Sequence, residues 1–287
     1  MDILDYAFMQ RALIAAALVG ITAPAIGTYL VQRRQALMGD GLGHVAMTGV
    51  ALGFVLQTSP VWMATLVAVV GAVGMELIRA RGRTSGDVAL AMLFYGGLAG
   101  GVMIINLGGG QTASLLGSMF GSITTVAAED VTAMAILAAF VLAVAIGLRR
   151  QLFAVCQDEE FARVTGLPVR ALNLLIAVTA AVTVTVAMRI VGLLLVSAML
   201  VIPVAAAQRL TRSFATTLGL AMAISVTVSL TGTAATYYIN VPSGATIVLL
   251  AIGVFVALTA LSAPLARRRA RAALAAEAVC TRDDVKV

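Results

Sequence analysis

Two side chains that can bind a metal ion lie close together in an otherwise apolar part of the sequence. The segment "GDGLGH" (residues 39–44) contains Asp40 and the only histidine of the chain, His44. On an α-helix, residues four positions apart lie on one face, so this carboxylate and this imidazole would project together. Their oxygen and nitrogen atoms are ligands for zinc, manganese and iron(II), although two residues cannot complete a four-coordinate shell. The spacing predicts part of a metal site, a buried hydrogen bond between Asp40 and His44, or a polar clamp between helices.

The rest of the chain has the composition of a membrane protein. Of its 287 residues, 61% are hydrophobic and only 11% are charged, and the mean hydropathy is +1.04. A soluble domain would carry about a quarter charged residues. The apolar residues form runs of about 20, long enough to cross a hydrocarbon core of about 30 Å as helices. An ionisable group in mid-membrane costs about 2.5–3.5 kcal/mol, so Asp40 and His44 are expected to face protein, water or an ion.

These runs predict an all-α polytopic membrane protein with eight to nine transmembrane helices. The nine candidate spans are 8–31, 37–57, 60–78, 87–106, 131–148, 171–188, 190–207, 214–238 and 245–264, and two short spans forming one broken helix would reduce the count to eight. In this arrangement 17 of the 19 basic residues fall on one side of the membrane, and only Arg11 and Arg189 fall on the other. The positive-inside rule places the arginine-rich side in the cytoplasm. Nine spans then put the N-terminus outside and the C-terminus, with the basic tail 265–287, in the cytoplasm.

Several function classes are disfavoured by residues that the chain lacks. Its only lysine is Lys286, so a phosphate-binding G-x-x-x-x-G-K-[ST] loop cannot form, and neither an H-E-x-x-H metal motif nor a G-x-S-x-G nucleophile turn is present. The two cysteines, Cys156 and Cys280, have no metal-binding spacing. The net charge of +6 does not indicate a nucleic-acid partner, because the arginines lie in short loops beside the membrane, where lipid and topology account for them. The sequence therefore predicts a protein that is not an enzyme.

A short helix is predicted in the long connection before the sixth span. Asp158 can cap a helix whose first turn holds Glu159 and Glu160, and Gly166 can end it. The result is an amphipathic helix near 158–166, held under the membrane.

Two other connections carry weaker predictions. Glu76 and Asp87 flank the arginine loop 79–83 and are expected to pair with it at the surface. The connection 107–130 contains no Lys or Arg, and it is interpreted as a packed loop, a re-entrant helix or a docking surface.

The sequence around Asp40 also resembles a known family. "ALMGDGLGHVAMTGVALG" is similar to the second-helix motif of the permease subunits of metal-ion ABC importers, the zinc/manganese/iron uptake family. The matching residues are Gly39, Asp40, Leu42, His44, Gly49, Ala51 and Leu52, while Gly41, Gly43 and Thr48 replace the usual alanine, serine and proline. The segments "SGDVALAMLF", "QDEEFARVTGLPVRALNLLI", "RIVGLLLVSAMLVIPVAAAQRL" and "VPSGATIVLL" resemble later parts of the family pattern in the same order. The resemblance covers residues 8 to 264.

The resemblance implies a type II ABC importer-like permease whose transmembrane domain spans residues 1–264, in a bacterial cytoplasmic membrane. The permease would form a homodimer that moves a divalent metal inward past Asp40 and His44, with zinc as the first candidate and manganese or iron(II) as the alternatives. No cofactor would be bound permanently.

The same resemblance implies two protein partners. A separate ATP-binding cassette ATPase would drive transport, and an extracytoplasmic metal-binding protein would deliver the ion. The short helix near 158–166 would be the coupling helix that contacts the ATPase. The residues implied in that contact are Asp158, Glu159, Glu160, Phe161, Arg163, Val164 and Gly166.

Other classes of function remain open on the residues alone. A stand-alone secondary transporter or channel would also hold ionisable residues in a span, and it would move metal without an ATPase. Some secondary transporters have inverted internal symmetry, and none is evident in this sequence. An intramembrane enzyme is disfavoured because no nucleophile–base pair or metal-hydrolase motif is evident.

Overall fold

The computed structural model describes residues 6–81, 86–108, 126–239 and 241–261, and all regular secondary structure in these ranges is helical. The helices are α1 (Ala7–Gln32), α2 (Met38–Val55), α3 (Pro60–Ala80), α4 (Gly86–Leu107), α5 (Ala128–Gly147), α6 (Arg149–Gln157), α7 (Glu159–Val164), α8 (Val169–Val191), α9 (Leu193–Leu210), α10 (Phe214–Ile239) and α11 (Ser243–Leu261). The predicted all-α fold class is confirmed. The predicted tail 265–287 and most of the connection 107–130 lie outside the described residues, as does the side chain of Asp87.

Each of the nine predicted spans corresponds to one of these helices. Within the described ranges, eight helices are long and apolar enough to cross a membrane. The ninth, α2, is not among the eight because Asp40, His44 and several glycines lower its hydropathy, yet most of its residues are buried against other helices. The spans α8 and α9 are separate helices because Gly192 joins them with a φ of +86°, a conformation that residues with a side chain rarely adopt.

Helix α2 lies inside the bundle. It packs mainly against α3 and α4 and also contacts α8 and α9. A Cβ atom added to Gly49 would lie 2.5 Å from the Cα of Ala64 in α3, and one added to Gly97 of α4 would lie 2.5 Å from the backbone nitrogen of Val45 in α2. Such close backbone contact is a main source of packing energy between membrane helices. The glycines Gly49 and Gly97 therefore allow α2 to pack closely against α3 and α4.

An ionic cluster joins several helices at one end of the bundle. Arg33 follows α1, Glu76 and Arg79 lie near the end of α3, and Glu159 begins α7. Arg33 Nη2 lies 3.4 Å from Glu76 Oε1 and 3.4 Å from Glu159 Oε1, and Arg79 Nη2 also contacts Glu159 Oε1. Glu76 is only 4% exposed, so the prediction that it pairs with the arginine loop at the surface is wrong. Its carboxylate can lie inside the bundle because Arg33 provides the opposite charge that a buried carboxylate requires.

The opposite end of the bundle carries a separate ion pair. Asp130 lies in the first turn of α5 and Arg189 near the end of α8, and Arg189 Nη2 is 3.4 Å from Asp130 Oδ1. The contact brings the start of α5 and the end of α8 together, as an up-and-down arrangement of the spans requires.

Candidate metal site

Asp40 and His44 lie on one face of α2, as their spacing predicts. Asp40 is in the first turn of the helix, where a carboxylate interacts favourably with the helix dipole. The Oδ2 atom of Asp40 and the Nε2 atom of His44 are 4.0 Å apart, which is too far for a hydrogen bond. Of the three possibilities that the sequence leaves open, the direct hydrogen bond is therefore not formed.

The gap between these two atoms is of the size that a bound metal ion needs. A zinc ion lies about 2.0–2.2 Å from a histidine nitrogen or a carboxylate oxygen. An ion between Oδ2 and Nε2 could contact both with little movement of either side chain. His44 is 5% exposed, whereas the Asp40 side chain is 36% exposed. The histidine is thus enclosed by the bundle, and the carboxylate is accessible from outside it.

The imidazole of His44 is held by packing rather than by hydrogen bonds. Its ring meets the ring of Phe94 in α4 edge to face, with the centroids 4.4 Å apart. Its Nδ1 atom is buried, and no group in the described part of the chain hydrogen-bonds to it. A buried polar atom without a partner costs free energy, and metal-binding histidines usually donate from the nitrogen that does not bind the metal. The single chain therefore leaves the histidine under-satisfied.

The carboxylate of Asp40 faces an open pocket. This pocket has a volume of about 400 Å³ and is lined by Asp40 together with Leu37, Leu90, Ala91, Phe94 and Tyr95. Its walls are largely apolar, so the carboxylate is the only formal charge among its lining residues. On the other side of Asp40, the Ser197 hydroxyl of α9 donates to Oδ1 at 3.4 Å.

The described part of the chain gives the pair no third ligand from a His, Cys, Asp or Glu side chain. Over the described residues, no group of three or more His, Cys, Asp and Glu side chains is close enough to hold one ion. Asp40 and His44 therefore supply half of a four-coordinate shell, and water or a second molecule has to supply the remainder.

The short helix predicted near 158–166 is present as α7. The Oδ1 atom of Asp158 accepts hydrogen bonds from the backbone N–H groups of Glu160 at 2.9 Å and Phe161 at 3.0 Å, which is the arrangement of an N-cap. Gly166 follows the helix with a φ of +83° and ends it. A preceding amphipathic helix, α6, links α7 to α5 and was not predicted.

The residues of α7 divide between two faces. Phe161 and Val164 are 63% and 87% exposed, and Glu160 and Arg163 are exposed as well. Glu159 instead points into the bundle, where its carboxylate contacts Arg33 and Arg79 and accepts a hydrogen bond from Asn173 Nδ2 at 3.2 Å. Glu160, Phe161, Arg163 and Val164 are thus placed to meet another protein. Asp158, Glu159 and Gly166 shape α7 and attach it to the bundle.

Burial changes the acidity of two groups beside this attachment. Burial, and after it the neighbouring Arg79, lowers the pKa of Arg33 below its ordinary value, while the carboxylates of Glu76 and Glu159 oppose this shift. Burial also raises the pKa of the Cys156 thiol to about 12. The thiol is therefore protonated at neutral pH, the unreactive state of a buried cysteine.

Sequence reasoning missed three features of the site. It did not identify the Ser197 contact, the Phe94 ring against His44, or the inward direction of Glu159. The only signal for Ser197 is a polar residue within the apolar run "LLLVSAMLV". Nothing local marks the other two, because their partners are far away in the sequence.

Comparison with known proteins relates most of the chain to metal transporters. A family model described as "ABC 3 transport family" matches residues 5–262. The manganese transport system membrane protein MntC of Halalkalibacterium halodurans is 32% identical over 254 residues, covering 88% of this chain and 87% of that protein. The chelated iron transport system membrane protein YfeD of Yersinia pestis is 30% identical over 246 residues, covering 85% of this chain and 82% of that protein.

A solved structure has the same architecture. PsaBC from Streptococcus pneumoniae, determined in complex with Fab, contains a chain that superimposes with a TM-score of 0.79 at 30% sequence identity. The match covers 89% of this chain and 92% of that chain, so it includes nearly all of the helices described above.

Proposed function

The chain belongs to the ABC 3 transport family, and on that premise we propose that it is the membrane permease of an ATP-driven importer for a divalent transition metal. The predicted family and the predicted fold class of an ABC importer permease are confirmed by the family match and by the similarity to PsaBC. The chain is a transport permease and not itself an enzyme. The observation that carries the metal proposal is the Asp40–His44 pair, which is set 4.0 Å apart beside an open pocket.

The relatives favour manganese or iron(II) over zinc as the transported ion. The names of MntC and YfeD assign manganese and chelated iron to those two proteins, and the chemistry of the pair agrees. The site offers one carboxylate and one imidazole and no thiolate, a donor set that manganese and iron(II) accept as well as zinc does. We therefore place manganese first and iron(II) second, and zinc, the first candidate of the sequence, becomes the third.

The incomplete metal coordination shell of Asp40 and His44 supports a homodimer. A two-fold interface pairs the same surface of each copy, so an axis beside the open pocket at Asp40 would bring the two Asp40–His44 pairs toward each other. The open pocket beside Asp40 is the route by which the second copy or an ion would reach the carboxylate. The ion would then pass between the copies, held by ligands that no single chain can provide.

Helix α7 is the proposed contact with a separate ATPase. Its exposed Phe161 and Val164 form an apolar tip, and exposed Glu160 and Arg163 flank that tip with charge. The Glu159 carboxylate connects α7 to Arg33 after α1 and to Arg79 at the end of α3. Movement of α7 would therefore be transmitted to α3, which packs against α2. An extracytoplasmic metal-binding protein would load the ion from the opposite side.

The proposed membrane is the bacterial cytoplasmic membrane. The ionic cluster brings together the connections after α1 and α3 and the start of α7, and these connections hold much of the arginine of the chain. The positive-inside rule puts this end in the cytoplasm, where the ATPase would be. The C-terminus then lies in the cytoplasm as well.

Uptake by the reconstituted permease and ATPase tests the proposal. Asp40→Asn and His44→Gln remove a ligand charge or a ligand nitrogen while keeping side-chain size, and each is expected to lower ATP-dependent manganese uptake into proteoliposomes at least about tenfold. Glu129→Gln is the matched control, because it removes an exposed first-turn carboxylate at the other end of the bundle. Zinc and iron(II) are measured in parallel to rank the metals.

Two results would overturn the proposal. Uptake at the wild-type rate by both Asp40→Asn and His44→Gln would remove the pair from the transport path. Equal uptake with and without ATP and the ATPase would favour the stand-alone secondary transporter or channel.

A further inference from the structure

A stripe of three residues on α9 fits against α2 at Asp40. Leu193, Ser197 and Leu200 lie at positions i, i+4 and i+7, so they share one face of α9. A Cβ atom added to Gly43 would lie 1.8 Å from Leu193 Cδ1, and one added to Gly39 would lie 2.4 Å from Leu200 Cδ1. The two leucines therefore occupy the space that side chains at the two glycines would fill. Their packing sets the position of Ser197 between them.

The hydroxyl of Ser197 differs from most hydroxyls in the spans. Those of Thr22, Thr28 and Thr183 donate to a backbone carbonyl four residues earlier in their own helix, which is the usual way to satisfy a hydroxyl in lipid. Ser197 Oγ instead donates across to the Oδ1 atom of Asp40, at 3.4 Å. The other oxygen of the same carboxylate, Oδ2, is the one that lies 4.0 Å from His44 Nε2.

We propose that Ser197 is a positioning residue for the metal site, a role that rests on the proposed function. Its hydroxyl holds one oxygen of the Asp40 carboxylate so that the other oxygen faces His44 across the gap that an ion would fill. A neutral donor suits this task, because it orients the carboxylate without competing for its charge as Lys or Arg would. Partners of this kind commonly change metal affinity about 10- to 100-fold when they are removed.

The test measures how manganese uptake depends on metal concentration. Ser197→Ala removes the hydroxyl, and we expect it to raise the half-saturating manganese concentration about tenfold, the low end of that range because the bond is long. The maximal rate at saturating manganese should stay within about twofold of wild type. Ser197→Thr keeps the hydroxyl and should restore a half-saturating concentration close to wild type. Electron paramagnetic resonance of the purified permease measures manganese binding directly. It should show weaker binding by Ser197→Ala than by wild type, and binding by Ser197→Thr that is close to wild type.

Ser225→Ala is the matched control. Ser225 is a buried serine whose hydroxyl also contacts α9, at the Sδ atom of Met199 at 3.4 Å, but it does not touch Asp40. The Ser225→Ala variant should have the same half-saturating manganese concentration as wild type. A merely structural role for Ser197 would lower the maximal rate and the melting temperature in Ser197→Ala, with no change in half-saturation, and that result would overturn the inference.

An Asp40→Ala arm separates this inference from the proposed function. If Asp40→Ala abolishes uptake while Ser197→Ala binds manganese like wild type, the positioning role fails and the proposed function stands. If Asp40→Ala transports normally, the site itself fails, and the role of Ser197 fails with it.

Discussion

At the scale of single residues, Cys156 shows how burial determines chemistry. It lies in α6 and lines a pocket with Arg33, Arg79 and Glu159, a setting in which a thiol could be expected to react. Burial nevertheless raises its pKa to about 12. A raised pKa means that the neutral thiol persists to higher pH, so at pH 8 only about one thiol in 10,000 is ionised, against about a quarter for an ordinary cysteine of pKa about 8.5.

We therefore predict that Cys156 labels slowly with a maleimide. In the Cys280→Ser background, labelling of the folded permease at pH 8 should be about a thousandfold slower than labelling of the denatured chain. The rate should rise about tenfold for each pH unit up to pH 10. Mass spectrometry of timed samples measures both rates. Equal rates for the folded and denatured chains would show that the thiol is not shielded.

Residue by residue, sequence could predict only the contacts that lie within one turn of a helix. Asp40 and His44 were identifiable because four positions separate them, and the Asp158 cap because it bonds to Glu160 and Phe161 beside it. The Ser197 bond to Asp40 joins residues 157 positions apart. No local pattern contains such a contact, because it exists only after α9 has packed against α2.

At the scale of helices, hydropathy predicted the spans but not how they join. The nine predicted spans match nine helices because about 20 apolar residues have few other stable arrangements in lipid. Helix α6 was missed because "RRQLFAVCQ" mixes arginines with buried residues such as Leu152 and Val155, so its mean hydropathy is low. The inward direction of Glu159 was missed for another reason, since its arginine partners, after α1 and in α3, are far away in the sequence.

The attachment of α7 gives a prediction at this scale. Glu159→Gln removes the charge that Arg33 and Arg79 contact, and it leaves buried Arg33 with Glu76 as its remaining acidic partner. We expect it to lower the stability of the permease by about 1–3 kcal/mol. This is less than the 3–5 kcal/mol of a fully buried pair, because the Glu159 side chain is 34% exposed.

Glu160→Gln is the matched variant, since it alters the next carboxylate in the same turn, which is exposed. Thermal unfolding of the two purified variants in detergent measures the difference, and hydrogen exchange of residues 158–166 shows whether α7 detaches. Glu160→Gln should melt like wild type. Equal melting temperatures for the two variants would mean that the ionic cluster does not hold α7.

At the scale of the whole molecule, a single chain supplies only part of the ligands of its candidate metal site. The outward faces of α3, α4 and α11 carry exposed apolar side chains such as Trp62, Met92 and Leu249. Lipid and a second copy of the chain would both cover such faces, so neither composition nor hydropathy can identify the face that dimerises. The candidate metal site points to the face beside Asp40, because a second copy placed there would add two further ligands of the same kind.

Mixed dimers give the prediction that belongs to this scale. Wild-type and Asp40→Asn/His44→Gln chains with different C-terminal tags are co-expressed, and dimers with one chain of each kind are isolated by two successive affinity steps. If both copies hold one ion, a single defective copy removes half of the ligands, and manganese uptake should fall below about a tenth of wild type. If each copy carried its own path, uptake would fall only to about half. Mixed dimers that contain one Glu129→Gln chain should transport like wild type, so a half-maximal rate in the test dimers would refute a shared site between the two copies.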